Sequence, residues 1–78
     1  MAGEKSHAVQ VLRDAVEQCY DQDMRTQEVY EALDYLSTYR SKRSALVEFR
    51  QALDISHPEQ RQLALRHYLK RIVREFES

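Results

Sequence analysis

Seventy-eight residues include a single glycine, Gly3, and a single proline, Pro58. That scarcity constrains the fold more than any other feature. A sheet reverses its chain every few residues, and each reversal draws on turn residues that are almost absent here. Helices need few of them. Alanine, leucine, glutamate, glutamine and arginine, all good helix formers, are plentiful. The chain is therefore expected to be all-α: a compact bundle of four short helices, or three helices with a long central one. Its length suits one domain spanning residues 1–78, with residues 1–5 a loose end.

The most regular segment is His57 to Ser78. Pro58 suits the first helical position, where its missing N–H costs nothing, and Ser56 or His57 precedes it as cap, Ser56 being the better residue type. Glu59 follows in the first turn, where a negative charge suits the helix dipole. At about 100° per residue, Leu65, Tyr68, Leu69, Ile72, Val73 and Phe76 share one sector. Burying Leu65, Leu69, Ile72 and Phe76 is worth roughly 6–12 kcal/mol gross, before the entropy of ordering the chain. The opposite sector holds Arg66, His67, Lys70, Arg71 and Arg74 with no acid among them. This basic face is the first candidate partner-binding surface.

Earlier in the chain the apolar pattern is weaker but readable. Ser6 is placed to cap a first helix running to about Tyr20, with Ala8, Val9, Leu12, Ala15, Val16, Cys19 and Tyr20 on one face. A second helix is expected from about Met24 or Thr26 to Tyr39, with Val29, Leu33 and Leu36 as its core stripe and Asp23 as its cap. Tyr35 lies almost opposite Leu33 and reads as outward. Residues 40–44 are five in a row without an apolar side chain. From Ala45 the pattern resumes in Leu46, Phe49, Ala52 and Leu53, rotated by about 160° from the Leu33 face if one helix ran straight through. A turn near Ser41 to Ser44 accounts for that rotation.

Chemistry is sparse. Cys19 is the one cysteine, which excludes an intrachain disulfide, and it reads as a small buried hydrophobe. His7, His57 and His67 have no partner histidine one helical turn away, and no zinc-ligand motif is present. No glycine-rich phosphate loop exists, since Gly3 stands near the start. Neither a catalytic residue, a cofactor, a metal nor a small-molecule substrate is expected. A helix-turn-helix alignment fails: matching Ala32 to the usual small helix residue puts Leu36 where the turn glycine belongs and Lys42 on a core position.

Charge is nearly balanced at −1 but unevenly placed. Residues 1–39 carry three basic and eight acidic side chains; residues 40–78 carry nine and five. Charged residues make up 32% and hydrophobic ones 42%, too apolar for disorder. No window approaches the ~18 apolar residues of a membrane span, and residues 1–10 lack the hydrophobic run of a signal peptide. The expected setting is cytoplasmic, or a host cell interior for a viral protein.

These features favour a non-enzymatic protein acting through protein–protein contact, as a regulator, adaptor or inhibitor, with self-association as one form. Val11, Tyr35, Val47 and Leu63 stand outside the main stripes and are the candidate apolar and aromatic interface residues. The alternative is nucleic-acid binding through the basic face of the last helix, with Arg40, Lys42 and Arg43 adding to it.

Overall fold

The computed structural model describes residues 2–18, 21–39 and 44–77. Among them are four helices and no strands: α1 (Ala2–Gln18), α2 (Gln27–Ser37), α3 (Ser44–Ala52) and α4 (Pro58–Glu77). The four-helix all-α reading is the one observed. The expected turn falls on residues 40–43, outside the described residues, as do Cys19 and Tyr20 and the basic side chains of Arg40, Lys42 and Arg43. No helix among the described residues is long and apolar enough to cross a membrane.

The packing follows chain order. α1 lies against α2 and α4, α3 lies against α4, and α2 touches α3 more lightly; the diagonal pairs do not meet. Two helical hairpins are thus joined through α1 and α4. The last helix packs on α1 and α3, and the segment just after α2 also reaches it. There the Tyr39 ring meets Phe76 edge-on, with centroids 6.0 Å apart. The body measures 35 × 19 × 18 Å, the long dimension matching a 20-residue helix at ~1.5 Å per residue.

One core runs the length of the bundle. Leu12, Val16, Leu36, Phe49, Leu65 and Ile72 are sealed from solvent. On α4 the expected stripe of Leu65, Leu69, Ile72 and Phe76 is buried, and Tyr68 and Val73 flank it half-buried. On α3 the stripe of Ala45, Leu46, Phe49 and Ala52 is buried, as is Leu53 just beyond. This division of faces sets an expected result. Leu69→Ala should cost about 2–5 kcal/mol in denaturant melts, and the exposed neighbour Lys70→Ala less than about 0.5. Equal losses would mean that another face of α4 is inward.

Helix ends are made without glycine, and no described residue adopts a positive φ. α2 starts at Thr26, not at Asp23: the Thr26 hydroxyl accepts from Val29 N–H at 3.3 Å. Asp23 instead closes a local turn, accepting from the Arg25 backbone N–H and from its Nε, each at 3.0 Å. At the other end the hydroxyls of Ser37 and Thr38 donate to the carbonyls of Asp34 and Tyr35, each at 2.7 Å. They add side-chain bonds to carbonyls of the last turn. α3 ends by tightening to i→i+3 bonds, Asp54 N–H to Gln51 O and Ile55 N–H to Ala52 O, each at 3.1 Å. In α4, Pro58 takes the first helical position, so the residue before it, His57, becomes the cap rather than Ser56. Its Nδ1 accepts from Gln60 N–H at 3.5 Å.

α1 also departs from expectation. It begins at Ala2, so residues 2–5 are helical and Ser6 lies inside the helix. Serine is tolerated there, and Ala2, Glu4 and Lys5 favour the helix enough to carry Gly3. The Lys5 ammonium lies over the Tyr39 ring, 5.4 Å from its centroid, which ties this first stretch to the end of α2.

Candidate functional site

α1 shows one long stripe to solvent beside α2: His7, Val11, Asp14, Ala15 and Gln18. α2 answers with Glu28, Glu31, Ala32 and Tyr35. Two neighbouring helical cylinders always leave a furrow, and here the side chains along it are small enough to leave it open. One hollow of about 840 Å³ is lined by His7, Ala8, Val11, Ala32 and Tyr35 with Glu28 and Glu31. A second, of about 690 Å³, continues toward Asp14, Gln18 and Asp23 and shares Val11, Glu28 and Glu31 with the first. They form one groove along the α1–α2 seam.

The groove is apolar at its base and acidic at its rim. Ala8, Val29 and Ala32 are buried, and Val11, Ala15 and Tyr35 are half-buried. Asp14, Asp23, Glu28 and Glu31 are exposed. Among the described residues no lysine or arginine lines it. Two of the carboxylates are oriented by amides one turn away: Gln10 Nε2 donates to Asp14, and Gln27 Nε2 donates to Glu31, each at 2.8 Å.

Asp23, on the rim, is held in its charged form. The side-chain hydrogen bond from Arg25, then the Arg25 backbone N–H, hold it below the ordinary aspartate range, with the charges of Arg25 and Arg61 adding to this. A carboxyl group whose folded pKa is depressed contributes stability above its unfolded pKa. That contribution is lost as pH falls through the folded pKa. The expected result is an NMR titration midpoint for Asp23 below about 3.9, the unfolded value. Asp23→Asn should flatten the loss of stability below about pH 4. A midpoint above the ordinary value would contradict the Arg25 contact.

The four candidate interface residues separate into two sets. Val11 and Tyr35 come together in the groove. Tyr35 is not outward as its position on α2 suggests. It is half-buried, because α1 and α3 both flank α2 and widen its covered arc. Its hydroxyl lies 3.0 Å from that of Tyr39, and the two rings meet edge-on at 5.7 Å. Val47 and Leu63 stand apart on α3 and α4 and are 53% and 69% exposed.

All five residues of the basic face of α4 are exposed. Some of them nevertheless meet acids of this chain. Arg66 reaches Glu17 of α1 at 3.4 Å, and Arg71 reaches Glu48 of α3 at 3.2 Å. α4 lies between α1 and α3, so each flanking arginine leans toward the acid on its own side. Leu63, His67, Lys70 and Arg74 form the outermost stripe between them. A third pair, Arg50 with Asp34, joins α3 to α2. Part of the charge difference between the two halves is therefore cancelled inside the fold, across helix seams.

Arg61 is the one buried charged residue among those described. It donates to Gln22 O at 2.8 Å and to Ile55 O at 3.1 Å. A signal existed: Arg61, Leu65, Leu69, Ile72 and Phe76 lie on a single helical stripe. Among the described residues no three of His, Cys, Asp and Glu gather as metal ligands do. No family model, curated protein or solved structure matches the chain.

Proposed function

We propose that this chain is a non-enzymatic interaction module, a small helical regulator or adaptor that docks a protein segment in the α1–α2 groove. The observation that carries this reading is the groove itself: an apolar floor bordered by Asp14, Glu28 and Glu31, with Asp23 at one end already paired with Arg25. An apolar floor with a charged rim is the layout of a protein interface, the first supplying affinity and the second partner choice. Val11 and Tyr35, singled out by pattern alone, both belong to it.

The expected result concerns two charge reversals. Glu28→Lys with Glu31→Lys should abolish capture of the partner from the source cell, because both residues border the groove. Lys70→Glu with Arg74→Glu, on the far face of α4, should leave capture within about twofold. Both variants change exposed side chains and should keep the wild-type melting midpoint within about 0.5 kcal/mol. Capture lost only in the α4 variant would transfer the site to that helix.

Nucleic-acid binding through α4 is the lesser reading. It is favoured by the outermost stripe, where His67 and Lys70 are exposed. Against it stand Glu17 and Glu48, which engage Arg66 and Arg71 and border the face with negative charge. Filter binding at low and moderate salt decides it: retention lost in an Arg66→Glu, Lys70→Glu, Arg74→Glu variant would support it.

A further inference from the structure

If the groove docks a protein segment, its chemistry specifies that segment. We propose that the occupant is a short basic amphipathic helix of a partner protein, laid along the α1–α2 seam with an apolar stripe on the floor and lysines or arginines on both flanks.

Length comes first. The lining residues of α1 run from His7 to Gln18, about 16 Å at ~1.5 Å per residue. That accommodates about three turns of a third helix. Floor shape comes next. Ala8, Ala15 and Ala32 supply only methyl groups beside Val11, and the spacing of packed helices shortens as the side chains between them shrink. Both walls are helices whose backbone groups are already paired, so the groove has no strand edge for an extended peptide to join. A polyproline segment looks for a groove lined by several Tyr, Trp or Phe rings, and Tyr35 is the one such ring here among the described residues.

Charge selects the flanks. Glu28 and Glu31 stand on the α2 side and Asp14 on the α1 side, while Asp23, toward one end, is already paired with Arg25. Repulsion from these carboxylates disfavours an acidic helix, a phosphopeptide or a nucleic acid, whereas a helix with cations on either side of its apolar stripe meets an acid on each wall. The outer stripe of α4 in a second copy is cationic too. It offers one large apolar side chain, Leu63, and would set His67 and Lys70 against an apolar floor. A distinct partner fits better than self-docking.

The test uses the whole isotope-labelled protein and three synthetic peptides of about 14 residues, read by backbone amide shifts. One carries a leucine stripe with lysine elsewhere, the second the same stripe with glutamate, and the third the first composition scrambled to abolish the stripe. The lysine peptide is expected to shift the amides of Val11, Glu28 and Glu31 in a saturable way, and to bind about tenfold more weakly to Glu28→Gln, Glu31→Gln. The scrambled and glutamate peptides are expected to bind at least about tenfold more weakly than the first. Equal binding by the glutamate peptide overturns the basic occupant while leaving the groove a docking surface. Equal binding by the scrambled peptide overturns the amphipathic helix. Silent groove amides with all three peptides also overturn the proposal, and loss of cellular capture in the Glu28→Lys, Glu31→Lys variant then shows whether docking survives without it. Shifts that grow with protein concentration alone, in the groove and at Leu63 and Lys70 together, identify a second copy instead and overturn the distinct partner.

Discussion

Phe49→Ala should lower the stability of this protein by about 3–5 kcal/mol. Phe49 is fully buried on α3, which is only nine residues long. Isolated helices shorter than about 12–15 residues are marginal in water. α3 therefore exists because its apolar face is held by α4 and α2, and Phe49 is the largest side chain on that face. Domains of this length have a total stability of roughly 4–12 kcal/mol, so the loss takes a large part of it. Denaturant and thermal melts should show the midpoint falling by more than about 12 °C. Val47→Ala, two positions away and half in solvent, should stay within about 0.5 kcal/mol. A Phe49→Ala variant as stable as Val47→Ala would mean that α3 does not close the core.

Arg61→Met is expected to cost about 2–3 kcal/mol even though methionine keeps most of the apolar stem. The guanidinium joins the carbonyl of Gln22, in the α1–α2 connector, to that of Ile55, in the α3–α4 connector. A weaker tie runs between the same connectors, Arg25 to Asp54 at 3.8 Å. Both hairpins are thus fastened at one end of the bundle by a buried fork. Lysine cannot reproduce it: one ammonium does not have the spread of two guanidinium nitrogens, so Arg61→Lys should recover less than half of the loss. Hydrogen exchange offers a second view, with faster exchange of the amides of residues 22–26 in Arg61→Met than in wild type. A variant within about 0.5 kcal/mol of wild type would show that water serves those carbonyls equally well.

What the sequence made legible follows from periodicity. α3 and α4 were readable because their apolar residues recur at three and four positions, and those stripes are the buried ones. The start of α1 was not, because a serine that resembles a cap is also tolerated inside a helix when its neighbours favour it. Met24 is almost fully buried yet lies in a connector, where no repeat marks it. Arg61 lies on the apolar stripe of α4, and its charge disguised its place. The groove was invisible as a unit for a different reason. Val11 and Tyr35 each stood out as a stray residue, but only the packing of α1 on α2 makes them neighbours. The basic face of α4 was the opposite case, a vivid pattern whose flanking arginines turn out to serve helix seams.

A photo-cross-linking amino acid placed at Glu31, and in a parallel strain at Lys70, tests the groove most directly. Both positions are exposed. Irradiation of the source cell should give a discrete protein adduct from position 31 and none from position 70. An adduct from position 70 alone, or a nucleic-acid adduct there, would contradict the groove as the docking surface and return the function to the last helix.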